Sequence, residues 1–158
     1  MFRGNDLSGP GATLRLTVRL PATRPVGRRE PLVVTGRSGA GDLLLIEYLA
    51  GDEVRFALDH WGSPLRESPP LRLSPGQTHT IDITLTSLAA VEDATLVRAV
   101  QSGEARVSVD GVKIWEDKTY FFSAEAPELW IGRNGIGGTA CGPEFTGEVD
   151  EAARVVRE

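Results

Sequence analysis

A chain of 158 residues fits one domain, and at that length folding buries roughly 70% of the unfolded surface without staples. Seventeen Lys and Arg against twenty-two Asp and Glu leave a net charge of −5 with no basic stripe, so nucleic acid is not an expected partner. The single cysteine, Cys141, excludes an internal disulfide and a cysteine-based zinc site, and no apolar run reaches the roughly 18 residues that span a bilayer.

The opening MFRGNDLSGPGA lacks the basic-then-apolar layout of a signal peptide and is polar and glycine-rich like a linker. Residues 1–12 are therefore expected to form a flexible N-terminal segment and 13–158 the folded domain. Such a start also suits a domain cut from a longer exported or membrane-anchored protein, for which an extracytoplasmic location is favoured. Otherwise the sequence assigns no compartment.

Period-two alternation then dominates. Leu14 to Leu20 is apolar at every even position and polar at every odd one, the pattern of a half-buried strand. The turn Gly36-Arg37-Ser38-Gly39-Ala40-Gly41 separates this region from Asp42 to Leu49, which is apolar on both parities and predicts a central strand covered on both faces. After Ala50-Gly51-Asp52, alternation returns in Glu53 to Leu58. The Pro-rich stretch Pro64 to Pro75 reads as a long loop, and Ser74-Pro75-Gly76 as a turn. Thr80 to Leu85 alternates again. Ser87 to Val100 matches a single helical face poorly and is expected to be an irregular connection with one helical turn. Arg106 to Val109 and the residues after Asp110-Gly111 predict two strands joined by a type I′ hairpin. Turn signals at this spacing are those of a sandwich.

Few residues carry chemistry. Gly132 to Thr139 superficially fits a phosphate loop, but Gly138 stands where that loop needs lysine, and Gly36 to Gly41 reverses the dinucleotide fingerprint ahead of a strand. Neither predicts a nucleotide site. In Asp59-His60-Trp61-Gly62 the alternation puts His60 on the core-facing parity and Arg55, Asp59 and Trp61 on the other face. An apolar ring beside a carboxylate is a way to hold a sugar, which stacks through its C–H face while the acid takes the hydroxyls. Arg55, Asp59 and Trp61 are accordingly the candidate ligand-binding residues. The alternative is that Trp61 caps the core edge and Asp59 bonds a loop amide. Trp115 falls opposite Val112 and Ile114, and Trp130 opposite Leu129 and Ile131; each indole is either core or part of a groove. His79, alone at a strand start, is expected to face solvent or to bond locally.

The segments Val107 to Trp115 and Leu129 to Arg154 resemble the closing strands of the concanavalin A-like lectin/glucanase superfamily, particularly its laminin-G-like and pentraxin-like branch. The specific letters are LWIGRN, a glycine-rich turn, and Phe145-Thr146-Gly147-Glu148-Val149-Asp150-Glu151 with Arg154. The resemblance implies an all-β, jelly-roll β-sandwich of two antiparallel sheets, with roughly a dozen short strands and neighbouring terminal strands. Glucanase members carry two glutamates flanking an aspartate on one strand face; here Glu148 and Asp150 fit, but the third position is Ala152, so no catalytic residue is assigned. Many relatives bind calcium through Asp, Asn and loop carbonyls, which makes Ca2+ the candidate cofactor with Asp59, Asp110 and Asn134 as candidate ligands. No contiguous calcium loop is present. Asp110 is also explained as the first residue of the type I′ turn and Asn134 as a left-handed turn residue. The family implies a non-catalytic recognition module for a carbohydrate or protein ligand. A structural domain of a larger exported assembly and a glycoside hydrolase-like enzyme are the alternatives. An edge-to-edge dimer is compatible with exposed sheet edges, but the sequence assigns no oligomeric state.

Overall fold

The structure is a computed structural model that describes residues 12–89, 94–97, 99–124 and 128–155. Of the expected N-terminal segment, residues 1–11 lie outside the described residues, and the Ala12 carbonyl accepts a hydrogen bond from the Leu85 amide at 2.9 Å. Eleven strands are described: β1 (Thr13–Arg19), β2 (Arg29–Arg37), β3 (Ala40–Tyr48), β4 (Glu53–His60), β5 (Arg66–Glu67), β6 (Leu71–Arg72), β7 (Thr78–Leu85), β8 (Val100–Val109), β9 (Val112–Phe122), β10 (Leu129–Ile131) and β11 (Glu148–Val155). They form a five-stranded sheet, β11-β1-β7-β8-β9, and a six-stranded sheet, β10-β2-β3-β4-β5 with β6 also on β4. Every pairing is antiparallel, and the terminal strands β1 and β11 are neighbours. No described helix is long and apolar enough to cross a membrane.

The core follows directly from the alternation. Leu14, Leu16 and Val18 of β1, Ile81 and Ile83 of β7, and Ala105 and Val107 of β8 meet Leu44, Ile46, Val54 and Phe56 of the facing sheet. The central strand β3 is buried on both faces: Leu44 and Ile46 enter this core, while Leu43 and Leu45 on the opposite side are also fully buried. A second cluster covers that opposite side, in which Val34, Leu43 and Ile136 pack with Trp61, Trp130 and Cys141. The chain between β10 and β11, residues 132–147, therefore acts as a roof on the outer face of the six-stranded sheet. Gly135 makes this approach possible, since a Cβ there would lie 2.2 Å from the Trp130 ring.

Polar links join the two sheets. Asp42 on β3 accepts the Phe122 amide of β9 at 2.8 Å and contacts His60 Nδ1 at 2.7 Å, and the His60 ring stacks on Phe122 at 4.3 Å. Thr35 Oγ1 donates to Ser87 Oγ at 2.9 Å. Glu30, also buried, accepts from the Tyr48 hydroxyl and from the Thr146 hydroxyl and amide, which fastens the end of the roof to β2 and β3.

Several expectations are corrected. Pro64 to Pro75 contains β5 and β6, each two residues long, because Ser68 exchanges hydrogen bonds with Phe56 before Pro69 and Pro70, which lack amide donors, stop the pairing. Of the two alternatives for His79, the local bond holds and solvent exposure does not: the ring is buried, with Nδ1 2.9 Å from Asp110 Oδ2 and Nε2 3.3 Å from the Ser74 carbonyl. In the stretch 87–100 the described residues hold two 3-10 turns, Thr86–Leu88 and Ala94–Leu96, while 90–93 and 98 lie outside them. The hairpin turn itself is as expected, with φ of 50° at Asp110 and 84° at Gly111.

Candidate functional site

A groove of about 420 Å³ opens on the outer face of the six-stranded sheet, where the end of β4 meets the roof. It is lined by Asp59, Trp61, Gly62 and Leu65 from the end of β4 and the turn after it, by Gly138, Thr139 and Ala140 of the roof, and by Arg29 of β2. Alternation along β4 puts Asp59 and Trp61 on this face together, two residues apart, while His60 between them turns into the core. Gly138, at φ 87°, lies against the Trp61 ring, where a Cβ would be 3.3 Å from Cζ3. The loop can approach the indole that closely because no side chain intervenes.

The chemistry of the groove is set by what is paired and what is not. Arg29 Nε donates to Glu47 Oε1 at 2.6 Å, Arg55 Nη2 lies 2.6 Å from Glu47 Oε2, and Arg55 Nη1 lies 3.1 Å from Glu67 Oε2. This ladder crosses four strands and neutralises its own charges. Asp59 stands outside it: among the described residues its half-buried carboxylate has neither a hydrogen bond nor an ion pair. Burial pushes its pKa up from the ordinary carboxylate range. The Trp61 indole N–H likewise has no acceptor among the described residues. Cys141, packed nearby in the roof, has its thiol pushed up to about 11, first by burial and then by the negative charge of Asp59. It is protonated at neutral pH and not a nucleophile.

Of the sequence candidates, the structure brings Asp59 and Trp61 together in one groove and places Arg55 further along β4, in the ion-pair ladder. No loop amide bonds Asp59 among the described residues. Arg29, Gly138 and Thr139 escaped the sequence reading, because they come from β2 and the roof, 30 and about 80 residues away from Asp59. The run Leu43 to Ile46, apolar on both parities, was the available signal, since a strand buried on both faces needs a second cover and residues of that cover line the groove.

Trp115 is buried in the main core, so the face of β9 opposite Val112 is the inner one. A bulge at Val107/Ser108 rotates the pairing there and leaves Val112 61% exposed. Trp130 packs under the roof.

The metal candidates are not assembled into one set. Asp110 sits at the β8–β9 hairpin of the other sheet, where His79 Nδ1 and the Thr80 amide, each 2.9 Å away, occupy its two oxygens. Burial alone would raise the Asp110 pKa, but these two bonds outweigh it and hold the group below its ordinary value. Asn134 accepts the Ile136 and Gly137 amides at 3.2 and 3.0 Å and donates to the Gly137 carbonyl at 2.9 Å. This side-chain turn replaces the expected left-handed backbone, since Asp110 has the only positive φ outside glycine among the described residues. No group of three His, Cys, Asp or Glu side chains among the described residues is arranged to hold a metal ion.

The acidic pair of β11 is also placed. Asp150 is the extra residue of a bulge, since Thr17 pairs with Glu151 and Val18 with Val149. The bulge breaks the one-face spacing that the glucanase pattern needs, and Val149 and Ala152 turn toward the core while Glu148 and Asp150 pair with Arg19 at 3.5 and 3.4 Å.

No protein-family model and no curated protein sequence matches the chain. Among solved structures, the chain is similar to the CBM40 of the Ruminococcus gnavus IT-sialidase, bound to alpha2,3 sialyllactose, with a TM-score of 0.53 at 11% identity over 92% of this chain and 77% of that one. Sheep galectin-11 in complex with glycerol superposes with a TM-score of 0.39 at 17% identity, covering 77% of this chain and 89% of that one. The likeness to the first is one of fold: a β-sandwich of two antiparallel sheets.

Proposed function

We propose that this chain is a non-catalytic recognition module that holds a glycan in the groove between Asp59, Trp61 and the roof. The observation that carries the reading is the half-buried Asp59 carboxylate, left without a partner beside an indole whose N–H is also free among the described residues. The Asp59 carboxylate still reaches solvent, and a sugar hydroxyl can replace its water with a charge-assisted hydrogen bond. The pyranose C–H face stacks on Trp61, and the loop backbone at Gly138 and Thr139 offers further donors and acceptors. The CBM40 neighbour is bound to alpha2,3 sialyllactose, so that glycan heads the set to be tried.

Hydrolysis is not part of the proposal, because Glu148 and Asp150 are paired with Arg19 and lie outside the groove. The test is a glycan array on the purified protein in calcium and in chelator, with Trp61→Ala and Asp59→Asn alongside. Binding that falls at least tenfold in both variants supports the site, and the chelator arm reports whether calcium takes part. Binding unchanged in both variants removes the groove from the account. As Asp59 acts through its charged form, affinity is expected to fall on acidification, starting at a higher pH than for an ordinary aspartate.

A further inference from the structure

A hollow of about 480 Å³ lies away from the groove, on the outer face of the five-stranded sheet along the β8–β9 hairpin. Ser102, Glu104, Lys118, Thr119 and Tyr120 line it, with Gly103 at its floor. The register makes this a cross-strand patch, since Ser102 pairs with Tyr120 and Glu104 with Lys118. Alternation turns Ala105 and Val107 of β8 and Trp115 and Phe121 of β9 into the core, so Ser102, Glu104, Lys118 and Tyr120 project outward.

The charges on this patch do not cancel. Glu104 is neutralised by Arg106 at 3.3 Å, and Glu116 by Lys113 at 2.9 Å and Arg106 at 3.4 Å. The Lys118 ammonium has no acceptor among the described residues, although Arg66 engages its backbone carbonyl at 3.4 Å. Beside it the Tyr120 ring is 60% exposed, with a hydroxyl that also has no partner among the described residues. An unpaired ammonium, an open aromatic face, one aliphatic hydroxyl and a carboxylate acceptor thus share one hollow in a protein whose net charge is −5.

We infer that this hollow is a second glycan site, selective for a saccharide that bears a carboxylate. The inference rests on the glycan-recognition reading above and adds a site to it. Lys118 is a point charge that matches one carboxylate. Tyr120 offers its ring to the sugar's C–H face, and Glu104 and Ser102 take hydroxyls. A phosphate or polyphosphate fits less well, because it leaves the Tyr120 ring unused.

The test uses matched pairs that differ in the carboxylate: a glucuronyl-terminated disaccharide against its glucosyl counterpart, and alpha2,3 sialyllactose against lactose. Calorimetric titration would be run on the wild-type protein and on Lys118→Met, Tyr120→Ala and Trp61→Ala, whose folding is checked by thermal melting. In at least one pair the acidic sugar is expected to bind at least tenfold tighter. Lys118→Met should erase that margin, Tyr120→Ala should weaken the acidic sugar about tenfold, and Trp61→Ala should leave the margin intact. A margin that survives Lys118→Met, or the absence of any margin in the wild type, overturns the inference. If neutral glycans still bind in a Trp61-dependent way, the groove stands and this site fails. If Lys118-dependent binding persists while Trp61→Ala alters nothing, the groove fails and this site stands.

Discussion

The outer faces of the two sheets meet water in opposite ways. On the five-stranded sheet, Arg15 pairs with Asp82 at 2.8 Å and Arg106 and Lys113 with Glu116, all in solvent, as expected for strands whose letters alternate apolar and polar. On the six-stranded sheet, Val34 and Leu43 have no exposure at all, because Ile136 and Cys141 of the segment 132–147 pack on them together with Trp61 and Trp130. The difference teaches where a binding groove arises in this fold. A sheet with two apolar faces needs a roof, the roof must end somewhere, and at its margin the partly covered side chains Asp59 and Trp61 keep unpaired polar atoms.

If the roof is truly packed, truncating a side chain beneath it should behave as a core mutation. Leu43→Ala is expected to cost about 3 kcal/mol in chemical denaturation, as large-to-small core changes do. A cost under 1 kcal/mol would mean that the face is wet and the comparison wrong. The inner face of the same strand offers the next largest effect. Asp42 has its pKa pushed up from 3.8 to about 6, chiefly by burial, against the lowering effects of His60 and the Phe122 amide. A carboxyl whose folded pKa is raised stabilises most below its unfolded pKa, and that contribution is lost as pH rises from about 4 to about 6. Wild type should therefore lose up to about 3 kcal/mol relative to Asp42→Asn across this window, the equivalent of roughly two pKa units. Asparagine can still accept the Phe122 amide, so the variant should fold, and parallel pH profiles for the two proteins would contradict the assignment. Gly135→Ala drives a methyl into the Trp130 ring and should cost about 2 kcal/mol by overpacking, with the groove's glycan affinity falling alongside stability. Arg15→Ala on the open face should change stability by less than about 1 kcal/mol, since exposed ion pairs contribute little.

Much of the fold was legible because its signals are local. Alternation in Leu14 to Leu20 and Thr80 to Leu85 named the faces of β1 and β7, and the double-sided apolar text of Asp42 to Leu49 named the central strand. The neighbouring terminal strands came from the resemblance. What escaped were features decided between strands. A bulge at Val107/Ser108 sent Trp115 inward and Val112 outward, and a bulge at Asp150 broke the spacing of the acidic strand; neither leaves a mark on its own segment. The Asp42–His60 pair required the β3–β4 register, although the inward parity of His60 was readable. Asp59 and Trp61 share a groove as the alternation implied, but Arg29 and the loop that complete it are joined to them only through pairing across the sheet and the roof above it.

The most direct test of the account follows the three indole N–H signals in a proton–nitrogen correlation spectrum while a glycan selected on the array is titrated in. Trp61 lines the groove, Trp115 is in the core and Trp130 lies under the roof, so the account predicts that the Trp61 signal moves with saturable dependence on sugar while the other two stay within a small fraction of that shift. Saturable binding with an unmoved Trp61 signal would show that the groove is not where the sugar sits, and would contradict the central claim.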